Sequence, residues 1–194
     1  MTTKAVVLEK VSARERLLAA AQELFYEEGI NTVGIDRVIE RAGVAKASLY
    51  NAFGSKDELI RAYLTARHEA RVARVTARLA LVEPPRDKIL SLFDDMRESA
   101  ANAGYRGCAF VRANAELRAE DSVKTVCTVS RDWLRNLLSD LSAAAGARDP
   151  ASLARQLVLL YDGTAVSSQM EGNCGAAQAA REAAISLMQA HGVT

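Results

Sequence analysis

The sequence predicts an all-α protein of about nine helices: an N-terminal three-helix helix-turn-helix domain, joined by a long helix to a C-terminal helical domain. Three observations carry this prediction. Apolar residues recur at spacings of three and four through most of the chain, and no convincing run of strand alternation appears. Only three prolines interrupt 194 residues rich in alanine and leucine. Capping residues and glycines stand where the periodic runs begin and end.

The residues justify each element in turn. The first dozen residues read as a loose arm. A helix follows over Ser12–Glu28, with Ser12 and Glu15 spaced as a capping box. Leu17, Leu18, Ala21, Leu24 and Phe25 form its apolar face, and Gly29 closes it. Gly34 opens a short helix that carries Ile35, Val38 and Ile39 on one face. Gly43 marks a tight turn, and a second short helix runs over about Ala45–Ala52 with Leu49 inward and Phe53 at its end. Ser55 and Glu58 repeat the capping-box spacing and open a long helix to about Val82. Arg61, Arg67, Arg71, Arg74 and Arg78 give it a basic face read as solvated, and Pro84-Pro85 ends it. Further helices are expected over about Arg86–Ala103, Cys108–Ala119, Ser122–Ala145, Pro150–Gly172 and Gly175–His191. Asp149-Pro150 sets a capping residue ahead of a proline at the first helical position.

Two short helices with a glycine turn between them have the geometry of a helix-turn-helix, whose second helix enters the DNA major groove. Ile35, Val38, Ile39, Val44 and Leu49 would fix the angle between them. Ala45, Lys46, Ala47, Ser48, Tyr50 and Asn51 are left outward, all small or hydrogen-bonding, as a groove-facing surface requires. Lys46 suits phosphate or guanine, Asn51 suits adenine or phosphate, and Ser48 is permissive. Ala45 and Ala47 allow close approach, while Tyr50 and Lys56 are placed for phosphates. Lys56 also sits at a helix N-terminus, which favours an anion. Gly34, at the start of the first short helix, completes the candidate DNA-binding set.

At this point the sequence resembles the TetR family. The likeness lies in Gly29-Ile30-Asn31-Thr32-Val33-Gly34-Ile35-Asp36-Arg37-Val38-Ile39, then Ala42-Gly43-Val44-Ala45-Lys46-Ala47-Ser48-Leu49-Tyr50-Asn51-Ala52-Phe53, then Ser55-Lys56-Asp57-Glu58-Leu59. Arg16-Leu17-Leu18 to Phe25 of the first helix share it, so the first third of the chain is covered. Three positions depart from the family pattern. Gly34 replaces a capping threonine or serine, Ala47 a common glycine, and Ala52 a frequent histidine that would supply a phosphate contact. The resemblance implies a DNA-binding domain over residues 1–55 and a ligand-binding and dimerisation domain over 56–194. The implied partners are a palindromic double-stranded DNA operator, a second copy of the chain and a small-molecule effector. A repressor released by that effector is the expected mode.

The C-terminal residues fit this outline. The helix from Pro150 carries Leu153, Leu157, Leu160, Tyr161 and Thr164 at helical spacing, and the small residues Gly163, Ser167 and Ser168 permit close approach. The last helix is rich in alanine. The resemblance implies that two such helices from each subunit form an intersubunit four-helix bundle. Leu157, Leu160, Gly163, Thr164, Ser167, Ala180, Ala184 and Leu187 are the candidate interface. Ligand sites in helical bundles are mostly apolar with a few polar groups. The candidates are His68, Phe93, Met96, Cys108, Phe110, Trp133 and Tyr161, with Trp133, the only tryptophan, foremost. Cys108 opens a helix near Arg106, a setting that can lower a thiol pKa. A thiol-based electrophile sensor and a ligand-independent regulator are the alternatives.

Composition narrows the remaining classes. The net charge is only +1, so DNA affinity must come from locally placed charge. Cys108, Cys127 and Cys174 are odd in number and widely spaced, which fits a reducing compartment and no zinc framework. The apolar run Ala5–Leu8 is too short for a signal peptide, and no run of about 18 apolar residues follows. A cytoplasmic protein without membrane partners is expected. The two histidines, His68 and His191, stand in no Glu-x-x-His or HExxH pattern, and there is no nucleophile elbow or phosphate loop. Neither an enzyme nor a bound metal or cofactor is expected.

Overall fold

The computed structural model describes residues 11–118, 123–172 and 175–194. The expected N-terminal arm and Cys174 lie outside the described residues, as do the expected end of the sixth helix at Ala119 and start of the seventh at Ser122. Nine helices and no strand occur among the described residues. They are α1 (Ala13–Glu28), α2 (Ile35–Ala42), α3 (Lys46–Phe53), α4 (Lys56–Leu79), α5 (Pro85–Ala100), α6 (Ala109–Glu116), α7 (Lys124–Ala144), α8 (Pro150–Glu171) and α9 (Ala176–Ala190). The all-α prediction holds. Two compact units divide between Tyr63 and Leu64, inside α4.

In the first unit, α1 packs on α2 and α3. Ser12 and Glu15 form the capping box expected of them, with the Glu15 amide donating to Ser12 Oγ at 3.2 Å and the Ser12 amide to Glu15 Oε2 at 2.8 Å. Leu17, Ala21, Leu24, Phe25, Ile30, Val33, Val38, Leu49, Phe53, Leu59 and Tyr63 make the core. Phe25 meets Tyr63 edge-on, with centroids 5.6 Å apart. Arginines then fix the short helices. Arg16 donates to the carbonyls of Ala42 and Gly43, where α2 ends. Arg14 lies over the Phe53 ring and donates to the Ala52 carbonyl in the last turn of α3. Both therefore place a cation at a helix C-terminus, where the dipole favours it. Arg41 donates to both carboxylate oxygens of Glu23, and Arg37 pairs with Glu28, so α2 is clamped along α1.

In the second unit, α5 packs on α7, α8 and α9, α8 packs on α7 and α9, and α6 packs on α7. Ile89, Leu92, Phe93, Leu138, Leu153, Leu157, Ala184 and Met188 form its centre. Asp149 caps α8 as expected, accepting from the Ser152 amide at 2.9 Å with Pro150 next in line. Packing between α8 and its neighbours is close, with Leu157, Thr164, Ala180 and Ala184 all buried within the subunit.

The basic face of α4 is solvated in part, with Arg74 exposed, yet its arginines also reach buried partners. Asp95 of α5 is buried, with 2% of its surface exposed, and Arg74 grips both its oxygens at 2.9 and 3.1 Å. Arg78 lies 3.6 Å from the same carboxylate and also pairs with Glu98. A carboxylate buried this deeply needs such partners.

Candidate DNA-binding surface and effector site

The first candidate site is the face of α3. Gly43 turns the chain in the left-handed region at φ 62°, ψ 43°, and its amide donates back to Ile39 and Glu40. A side chain is strained there, so glycine at the turn sets the angle between α2 and α3. Leu49 and Phe53 point into the core. Ala45, Lys46, Ala47, Tyr50 and Asn51 are exposed, Ser48 and Lys56 are half-buried, and Gly34 is exposed at the N-cap of α2. None of the sequence candidates is buried in the core of the first unit. Lys46 Nζ donates to Asp36 of α2 at 2.9 Å, which raises the ammonium pKa and keeps it charged. Tyr50 is an exposed aromatic with 45% of its surface open.

The second candidate site is a cluster of rings and one guanidinium in the second unit. His68, on α4, meets Phe110 of α6 and Trp133 of α7 edge-on, with centroids 6.4 and 5.8 Å away. Arg71, one turn along α4, has its guanidinium carbon 5.3 Å from the centroids of both Trp133 and Tyr161 of α8. It also donates to Ser130 Oγ of α7 at 3.3 Å. Tyr161 in turn meets Phe93 of α5 at 6.3 Å. Five of the seven sequence candidates are therefore linked in one chain of contacts across five helices. Met96 is buried in the adjoining core, and Cys108, half-buried at the N-cap of α6, packs against the same core.

Burial sets the chemistry of this cluster. His68 Nδ1 is buried without a hydrogen-bond partner. Its pKa is lowered, first by burial and then by Arg71, so the imidazole is neutral at pH 7. Burial likewise raises the Tyr161 hydroxyl and pushes the Cys127 thiol up to about 11. Arg71, Ser130 and Cys127 are absent from the sequence candidates. Helical spacing holds the missed signal: Arg71 is three residues from His68, and Ser130 three from Trp133, each one turn away on a shared face.

The α8–α9 candidates divide. Leu157, Thr164, Ala180 and Ala184 are buried inside the subunit, while Leu160, Ser167 and Leu187 are half-buried and Gly163 is exposed. A second row of α8 that sequence reasoning passed over is open and apolar. It runs through Leu159, Val166 and Met170, with Leu159 67% and Met170 79% exposed.

An all-helical chain with an N-terminal helix-turn-helix and a separate helical unit is the architecture of a two-part bacterial regulator. Comparison with known proteins agrees. The profile of bacterial regulatory proteins of the tetR family matches residues 17–63. The structure of a TetR-family transcriptional regulator from Streptomyces coelicolor superposes with a TM-score of 0.88 at 30% identity, covering 92% of this chain and 95% of that one. The chain belongs to the TetR family. It is also similar to the transcriptional activator FasR of Mycolicibacterium smegmatis, 34% identical over 102 residues, covering 51% of this chain and 46% of FasR. The Escherichia coli repressor NemR is 30% identical over 121 residues, which cover 61% of this chain and 56% of NemR. Both matches thus span about half the length of these curated relatives.

Proposed function

We propose that the protein is a transcriptional repressor that binds a palindromic operator as a homodimer and is released by a small-molecule effector. The exposed face of α3 carries the DNA-binding part of this reading. Its small and hydrogen-bonding residues stand outward while four arginines hold the helices that present them. Residues 1–55 would bind DNA and 56–194 would dimerise and sense. A single α3 covers one half-site, so a second copy one helical turn away completes the recognition. The open row Leu159, Gly163, Val166 and Met170, at i, i+4, i+7 and i+11 on α8, is the dimer face we favour. Effector binding would favour a subunit arrangement in which the two α3 helices no longer match successive major grooves.

Selection of bound duplexes from a random pool, followed by salt titration of the winner, tests this reading. Recovery of a palindrome with steeply salt-dependent affinity supports it. No enrichment over random duplex would sink it. The sign of regulation is tested by transcription from the recovered operator, since similar proteins include both an activator and a repressor.

A thiol sensor is the second reading, favoured by Cys108 at the half-buried N-cap of α6. The raised pKa of Cys127 disfavours alkylation at that thiol. Operator release by an electrophile, lost in Cys108→Ala, would support that reading. Release unchanged in the variant would remove it.

A further inference from the structure

The second-unit cluster holds a cation that no carboxylate among the described residues pairs with. Arg71, Arg74 and Arg78 stand on successive turns of α4. Asp95 and Glu98 take up Arg74 and Arg78. Among the described residues, Arg71 pairs with no carboxylate; its partners are the Ser130 and Tyr161 hydroxyls and two ring faces. A guanidinium carries five N–H donors, and hydrogen bonds to the Ser130 and Tyr161 hydroxyls leave others over. Stacking on Trp133 and Tyr161 holds its plane and leaves the edge donors for a planar acceptor.

A second polar group stands beside it. His68 Nδ1 is buried with no hydrogen-bond partner, and buried polar atoms are rarely left so without a reason. His68 and Arg71 lie one turn apart on α4 and share contact with Trp133. Ser130, the third polar group, is itself 1% exposed. Phe110, Trp133 and Tyr161 supply the flat apolar walls.

We infer that this cluster binds a planar aromatic carboxylate, with Arg71 pairing the carboxylate edge-on, His68 Nδ1 contacting a second polar atom and the rings of Phe110, Trp133 and Tyr161 packing the hydrocarbon. The inference rests on the effector-gated reading and names the chemical class of that effector. A bidentate guanidinium–carboxylate pair is both stronger and more directional than a neutral hydrogen bond, so charge decides affinity here as much as shape.

Calorimetric titration of the full-length protein without DNA, using 1-naphthoate and its neutral isostere 1-naphthamide, tests the inference. The acid is expected to bind at least about tenfold more tightly than the amide, the ratio of a charge-assisted to a neutral hydrogen bond. Arg71→Gln is expected to erase that preference, and Arg71→Lys to retain part of it. Thermal melts confirm that the variants fold. Equal binding of acid and amide by the unaltered protein, or no binding of either, overturns the inference without any variant. Persistence of the preference in folded Arg71→Gln also overturns it. Operator binding is measured on the same preparation. Acid binding without DNA binding would break the regulator reading alone, and DNA binding without acid binding would break this inference alone.

Discussion

Both units rely on arginines, but to different ends. In the first unit Arg14, Arg16, Arg37 and Arg41 lie on or near the surface and clamp α2 and α3 to α1. In the second unit Arg71 and Arg74 turn toward buried partners, an aromatic cluster and the carboxylate of Asp95. Water screens the first set, so each pair contributes little and many are needed. Arg74 is itself half-exposed, but the burial of its partner Asp95 raises the penalty for a missing partner. The contrast shows how one residue type can clamp surface helices in one place and line an aromatic cluster in another.

Removing the buried charge's partners is the sharpest way to break this contrast. The double variant Arg74→Ala/Arg78→Ala strands Asp95, and a buried carboxylate left alone costs roughly 3 kcal/mol or more. The unfolding transition of the helical unit should move down by several degrees at least, read by urea or thermal melts. Arg37→Ala, by contrast, removes a surface pair and should cost about 1 kcal/mol or less. Similar destabilisation by the two variants would refute the division between pairs with a buried carboxylate and pairs without one.

A smaller effect separates clamps from DNA-binding groups within the first unit. Lys46→Ala is expected to weaken operator binding about tenfold without lowering the melting temperature, because its pair with Asp36 is exposed on both sides. If Lys46 neutralises one phosphate, the variant should also flatten the log–log salt dependence by about 0.9. An unchanged slope would place Lys46 off the phosphate backbone. Asp36→Asn should act in the opposite direction, releasing Lys46 toward the DNA.

What the sequence made legible follows the same divide. The turn at Gly43 and the outward positions of α3 follow from local rules, since a short amphipathic helix has one inward row and Leu49 and Phe53 mark it. The caps of α1 and α8 are equally local. The face of α8 is not. Leu157, Val158, Leu159, Leu160 and Tyr161 put apolar side chains on every side of one turn, so periodicity cannot say which row the subunit buries. Packing against α7 and α9 decides it, taking Leu157 and Thr164 inward and leaving Leu159 and Met170 out. The pairing of Arg71 and Arg74 with groups on other helices is hidden for a related reason. Charges at helical spacing read as a wet face until Asp95 and Tyr161 arrive from other helices.

The smallest effect concerns His68, the neutral group beside Arg71. Burial and Arg71 lower its folded-state pKa below the ordinary 6.5, with exposed Glu69 pulling weakly the other way. Above pH 6.5 both the folded and unfolded chains hold a neutral imidazole, and this group adds no pH dependence. As the pH falls below 6.5, the unfolded chain takes up a proton that the folded cluster resists, so stability drops until the folded pKa is passed. His68→Gln removes the titration. The stability difference between the native chain and this variant should therefore shift against the native chain between pH 7.5 and 5.5, in urea melts at fixed ionic strength. A shift in favour of the native chain on acidification would mean that a carboxylate, not a guanidinium, dominates the field at His68, and the opposition between the two units' arginines would lose its clearest electrostatic consequence.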